Sequence, residues 1–203
     1  MLKGIKILLT AAAMVLSVAA ASAEITASDV LRNIPKSVIL PLSSGKLNDL
    51  IEYYLAGQHN KTLLNEFNEE AQIIELTDNH ACIKTGNSRS VTLHILPTKQ
   101  SEVCFLVIET FETPIKDSKL TIYSTEWETL PKLWAEPKAK TWLNNFGKKN
   151  RKEFEQEVPY ILAEYSFNDS TIVLTLSNQS KDNKFTLAKL RYQWTPKGFK
   201  QIK

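Results

Sequence analysis

Three histidines, two cysteines and six glycines are spread over 203 residues, and each shortage closes off a chemistry. His59, His80 and His94 show neither HxxxH nor HExxH spacing, so no helix offers a zinc ion two ligands from one face. The glycines form no rich loop of the kind that cradles phosphates. The GxSxG turn that exposes a nucleophilic serine is missing as well. Net charge is only +3, from 25 basic and 22 acidic side chains, which argues against nucleic acid as a partner. Beyond residue 23 no apolar run approaches the roughly 20 residues of a transmembrane helix.

The two cysteines, Cys82 and Cys104, sit in the strand-like runs "HACIK" and "EVCFLVIE". If consecutive strands pair as a meander, one strand separates them and they stand about 10 Å apart. A disulfide needs Cα atoms within roughly 7 Å. Two buried free thiols are therefore expected, and no disulfide.

What is present begins with a leader. Lys3 and Lys6 precede an apolar stretch from Ile7 to Ala20, and Ala21-Ser22-Ala23 forms a small-x-small cleavage site. The reading is a signal peptide over 1–23 and a mature chain from Glu24, exported to the periplasm or beyond. No cysteine follows the cleavage site, so no lipid anchor is expected. Loss of two lysines lowers the charge to 3 − 2 = +1. Residues 24–203 are read as one α+β domain, long enough to bury a core without crosslinks.

"TASDVLRNIP" predicts a short helix, with Thr26 and Asp29 as a capping box. The spacing of Leu47, Leu50, Ile51, Tyr54 and Leu55 predicts a second, with Ser44 as N-cap and Gly57 as stop. The period then changes to two. "AQIIELT", "HACIKT", "SVTLHIL", "VCFLVIETF" and "KLTIYSTEW" are five strands, punctuated by Asp78-Asn79, Gly86-Asn87-Ser88, Pro97 and Pro114. Between two strand blocks comes a helix over 138–146, with Trp142, Leu143 and Phe146 on one face and Gly147 closing it. "RKEFEQEV" extends a weaker one to Pro159. "YILAEYSF", "TIVLTLS", "AKLRYQW" and "GFKQIK" form the second block. The class is mainly antiparallel α+β.

One stretch is two-sided. In "DSKLTIYSTEW", Leu120 and Ile122 point one way, while Tyr123 and Trp127 share the other face with Thr121 and Thr125. Cover by a helix, 45–56 or 138–146, would make this aromatic face core, and Trp127→Ala would then cost about 3–5 kcal/mol. Left open, Tyr123, Glu126 and Trp127 would be a binding site. His94 shares a face with Thr92 and Leu96 and reads as structural. Cys82 lies two residues from His80 without a third metal ligand in view. The acidic runs "NEFNEEAQ" and "EFEQEV" read as solvated faces. Lys184, Lys189, Arg191, Lys197, Lys200 and Lys203 have no acid among them. Lys148, Lys149, Arg151 and Lys152 are followed at once by Glu153, Glu155 and Glu157.

Several fragments together have a familiar form. Pro35 precedes Leu40-Pro41, Asp49-Leu50 sits on a helix, and Leu96-Pro97 ends a strand. Cys104 stands where a Val-x-Cys strand is expected, followed by Asp117-Ser118, Tyr123 and Trp127. This set resembles a family of exported Bacteroidales proteins of unknown function and spans nearly all of the mature chain. The resemblance implies a periplasmic or surface location in a Gram-negative bacterium, and no activity or catalytic residue comes with it.

Signal peptide, sheet-rich pattern and missing catalytic motifs point to a non-enzymatic binding or accessory protein of the envelope, without cofactor or metal. Its partner class stays open between a glycan and another envelope protein. Two alternatives stand beside it: a carbohydrate hydrolase using dispersed carboxylates, and an envelope structural partner that docks through the basic C-terminal strands.

Overall fold

Thr26 opens the first helix by reciprocal capping. Its Oγ1 accepts from the Asp29 amide (3.2 Å) while the Asp29 carboxylate accepts from the Thr26 amide (3.1 Å). The computed structural model describes residues 25–99, 102–112, 114–143, 151–152, 154, 156, 160–177 and 188–203. Residues 1–24, Phe146, Gly147, Lys148, Lys149, Glu153, Glu155, Glu157, Pro159 and residues 184–187 lie outside the described residues. Helix α1 runs Ala27–Arg32, a single turn α2 covers Lys36–Ile39, and α3 runs Ser44–Leu55. Ser43, not Ser44, caps α3, accepting from the Lys46 amide. Leu47, Leu50 and Ile51 are buried, but Leu55, expected on the same stripe, is 60% exposed. It is the helix's last residue, past the sheet that would cover it.

The first sheet has six strands: β1 (Leu63–Leu64), β2 (Glu70–Leu76), β3 (His80–Gly86), β4 (Arg89–Pro97), β5 (Val103–Phe111) and β6 (Asp117–Tyr123). They pair in chain order, all antiparallel, as short links require. Alternation sends Ala81, Ile83, Val91, Leu93, Phe105 and Val107 to one side, where they pack with α1, α2 and α3. Leu96, Cys104, Leu106, Ile108, Leu120 and Ile122 go to the other. Both sides of β5 are thus buried, which explains its unbroken apolar run.

The second sheet, β7 (Ala163–Asn168), β8 (Thr171–Leu176), β9 (Lys189–Thr195) and β10 (Gly198–Ile202), is also a meander. Asp169 and Ser170 join β7 to β8, both at positive φ (45° and 61°), as the twist of a two-residue hairpin demands. Gly198 (φ +104°) opens β10 where a Cβ would lie 2.5 Å from the Leu133 carbonyl oxygen, so only glycine fits. Ala188, Leu190, Tyr192 and Trp194 face inward, as their alternation predicts. Helix α4 (Ala139–Leu143) contributes Trp142 to this same inter-sheet core, and Phe154 from a further helical segment joins it.

The sheets meet along β6 and β7. Ser118 Oγ accepts from the Tyr165 amide (3.1 Å) and Asp117 Oδ1 from the Ala163 amide (3.3 Å). Ser118 is 5% exposed and also bonds Thr110 Oγ1. Two side chains therefore satisfy backbone donors of β7. The Asp-Ser pair of the recurrent pattern has a structural reason.

The aromatic face of residues 117–127 is the main correction. The strand stops at Tyr123, and Trp127 sits in a turn at φ 63°. Helix α4, expected over 138–146 and described over Ala139–Leu143, does not cover this face, since its Trp142 lies in the opposite core. The helices rest on β2, β3 and β4, and where they run out Trp127 folds back over Phe105 (centroids 5.1 Å) and Tyr123 (5.4 Å). Both Tyr123 and Trp127 are half-buried against the helix-side core.

Candidate functional site

A meander returns alternate turns to the same end of its sheet. Here the β2–β3 turn, the β4–β5 loop and the exit from β6 gather beside the start of α1. Between them lies a cleft of about 1410 Å³. The Ala27 amide donates to the Asp78 carbonyl (2.6 Å) and the Ile95 amide to the Asn79 carbonyl (2.9 Å), fixing two walls. Thr98 closes the third by donating its amide (2.8 Å) and Oγ1 (3.0 Å) to the Glu102 carbonyl.

The fourth wall is the turn after β6. Ser124 Oγ accepts from the Glu126 (3.2 Å) and Glu128 (3.3 Å) amides, and the Ser124 amide donates to the Glu128 carbonyl (2.8 Å). This side-chain competition for backbone amides is what ends the strand. It leaves Glu126 projecting into solvent with Thr125 Oγ1 donating to its carboxylate (2.7 Å). That bond, then Glu126's own amide and Ser124, holds the Glu126 carboxyl below the usual carboxylate range.

The lining is one-signed. Asp78, Glu102 and Glu126 supply carboxylates, and Thr26, Thr98, Ser124 and Thr125 supply hydroxyls. No lysine, arginine or histidine is among the described lining residues. Cys104 touches the cleft, but burial pushes its thiol up to about 11, so it stays protonated and unreactive. The site can accept hydrogen bonds from, and offer negative charge to, a polar ligand.

Of the three residues singled out from the sequence, only Glu126 reaches this cleft. Tyr123 and Trp127 turn toward the helix-side core, where burial above all raises the Tyr123 phenol. Asp78, Asn79, Thr98 and Glu102 were not anticipated. They belong to loops far apart in sequence, and the only signal for them is the meander order itself, which places those loops at one end.

A second polar cluster lies on the sheet face opposite the helices. His80 and His94 are direct cross-strand partners with rings stacked at 4.4 Å, and His94 also meets Phe167 (4.7 Å). Glu75 approaches His80 Nδ1 (3.6 Å), and Thr92 Oγ1 donates to Cys82 Sγ (3.8 Å). Burial, then the neighbouring His80, lowers His94 to about 3, so it is a neutral packing group. Cys82 is half-buried, more open than expected, and burial raises its thiol. Among the described residues no three His, Cys, Asp or Glu side chains are placed to hold a metal ion.

A family model described as "Protein of unknown function (DUF3256)" matches residues 18–195. No curated protein matches. A solved domain of an uncharacterized protein from Porphyromonas gingivalis W83 is similar, with a TM-score of 0.71 and 20% identity, over 86% of this chain and 96% of that one. At that identity the likeness concerns the fold. The family match agrees with the resemblance carried by Pro35, Cys104, Asp117-Ser118, Tyr123 and Trp127. Among the described residues no helix is long and apolar enough to cross a membrane.

Proposed function

The chain belongs to that family of unknown function, so its own geometry has to carry the reading: we propose that it is an exported, non-enzymatic binding protein of the bacterial envelope. The cleft at the loop end of the six-stranded sheet is its ligand site. The carrying observation is the lining, three carboxylates and four hydroxyls around about 1410 Å³ without a described cation. Such a surface suits a polyhydroxylated ligand, neutral or amino-bearing, as a glycan is. The lowered Glu126 carboxyl supports binding over catalysis, because an ionised acceptor is a poor proton donor and a general acid needs the opposite shift. Export is supported by Lys3, Lys6, the apolar stretch and Ala21-Ser22-Ala23. N-terminal sequencing of periplasmic protein should start at or near Glu24; an intact Met1 in a membrane fraction would refute that part.

The binding test is calorimetric titration of purified protein with neutral and amino-sugar oligosaccharides. Saturable heat is expected, weakened at least about tenfold in Glu102→Gln/Glu126→Gln with an unchanged melting temperature. Silence across the panel overturns the reading.

One observation favours the hydrolase alternative. The Glu136 carboxyl is raised, first by burial and also by the charge of Asp117, while Trp134 Nε1 donates to it at 3.2 Å. A buried carboxyl held toward its protonated form is what a general acid needs. Released sugar from the same panel, abolished by Glu136→Gln, would replace binding with hydrolysis.

A further inference from the structure

The cationic C-terminal strands are left unexplained by the acidic cleft. In β9 the inward residues alternate with Lys189 and Arg191, both exposed, and Gln193. Register sets Lys200 of β10 beside Gln193, and Ile202 beside Arg191. On the other flank Thr171 lies beside Gln193, Val173 beside Arg191 and Thr175 beside Lys189. The outer face of the second sheet is therefore a lattice of cations separated by hydroxyl and amide groups. A groove of about 530 Å³ runs between β9 and β10, lined by Lys189, Arg191, Gln201, Ile202 and Lys203 among others.

The charge on this face is not neutralised by the protein's described groups. The described ion pairs include none of Lys189, Arg191, Lys197, Lys200 and Lys203. Glu164, the carboxylate on β7 at this face, is engaged by Lys116 at 2.9 Å. Among the described residues of this sheet, Asp169 in the β7–β8 turn is the other acid. Cations two residues apart on a strand stand about 6.6 Å from each other, within the roughly 8 Å Debye length at physiological salt. They repel one another, and a chain of regularly spaced anions relieves that repulsion.

We propose that the outer face of the second sheet, centred on Lys189, Arg191 and Lys200, is a docking surface for an anionic polysaccharide. Two observations favour a sugar chain over anionic lipid. Between the cations, Thr171 Oγ1 donates to Gln193 Oε1 (3.1 Å) and Gln193 Nε2 to the Ser170 carbonyl (3.1 Å), which leaves the Thr171 lone pairs, the second Gln193 N–H and the Thr175 hydroxyl to meet sugar hydroxyls. Lipid anchoring would need an apolar wedge beside the charges. Here the sheet's aromatic side chains Tyr165, Tyr192 and Trp194 point into the core, leaving Val173 and Ile202 as the apolar residues on the face. The face is independent of the acidic cleft, which repels the same ligand.

The test is binding of purified protein to immobilised dextran sulfate, with plain dextran, phosphatidylglycerol vesicles and single-stranded DNA as competing probes. The protein should be retained on dextran sulfate at about 0.15 M salt. Lys189→Gln/Arg191→Gln/Lys200→Gln should weaken it at least about tenfold and flatten the log–log salt dependence by roughly two to three. Its melting temperature and its response to the neutral oligosaccharide panel should not move. Three outcomes overturn the proposal: elution of wild type at the same salt as the variant, vesicle binding equal to or tighter than dextran sulfate, or equal retention of DNA. An unfolded triple variant hands the decision to Arg191→Gln alone, which must still weaken binding and reduce the salt slope.

Discussion

The two sides of the six-stranded sheet are filled differently. On the helix side the buried cluster is aliphatic, with Leu31, Ile39, Leu47, Leu50, Ile51, Ile83 and Val107, and Phe105 as its one buried aromatic among the described residues. On the other side Trp142, Phe154, Tyr165, Tyr192 and Trp194 are all buried. The difference follows from what closes each side. Helices bring close ridges of branched aliphatics, whereas packed sheets stand about 10 Å apart and need long side chains to bridge the gap. Aromatic residues also bring polar tips that must be placed. Trp194 Nε1 donates to the Pro97 carbonyl at 3.0 Å, tying the second sheet to the end of β4.

The comparison is broken most severely by truncating the bridging side. Trp194→Ala removes a ring 7% exposed, its contact with Phe199 and its bond to Pro97. It should lower unfolding free energy by about 3–5 kcal/mol in urea titration. Ile51→Val, one methylene on the helix side, should cost about 1 kcal/mol. A loss no larger than that of Ile51→Val would show that the Trp194 ring and its bond to Pro97 do not bridge the two sheets.

A smaller effect comes from the histidine at the sheet seam. His94 titrates at about 3 when folded and near 6.5 when unfolded. Below about pH 6.5 the unfolded chain takes the proton first, so stability is full above that value and falls as pH drops toward 3. The loss should reach about 2 kcal/mol at pH 5. In His94→Leu the fall between pH 7 and pH 5 should shrink by that amount. An unchanged fall would overturn the assignment of this pH dependence to His94.

The strands were legible because alternation is a local signal; sites built across loops were not. "VCFLVIETF" could only be a doubly covered strand, and AKLRYQW separated its two faces residue by residue. "STEW" misled for a physical reason. Trp127 continues the alternation of Tyr123 and Thr125, yet Ser124 Oγ captures two amides and turns the chain. The stacking of His80 on His94 depended on register, set by an irregularity between Lys84 and Gly86 that no alternation marks. The cleft needed three loops at once.

Trp127 itself tests the boundary between the two readings of its stretch. It is half-buried, so Trp127→Ala should cost about 2 kcal/mol, less than a full core truncation. At φ 63° a non-glycine residue is strained by about 1 kcal/mol. Trp127→Gly should therefore be the milder substitution, reversing the usual order of alanine and glycine. Thermal melts of the pair decide it, and a glycine variant less stable than alanine would remove the strain.

The gentlest probe concerns the thiols, both of which lie on the face opposite the helices. Cys82 pairs with Thr92 across β3 and β4, whereas Cys104 pairs with Leu96 across β4 and β5. The cysteines are therefore offset along the strands as well as separated by β4, and no disulfide can span them. Both thiols are raised, mainly by burial, Cys104 to about 11. At pH 8 its thiolate fraction is then about one in a thousand, against roughly a quarter for a free cysteine. Native protein should alkylate slowly, and Cys82, half-buried at the open part of its sheet face, should react first. After denaturation without reductant, mass spectrometry should show two adducts. A protein carrying none would contain a bridge, and the register of β3, β4 and β5 would have to be wrong.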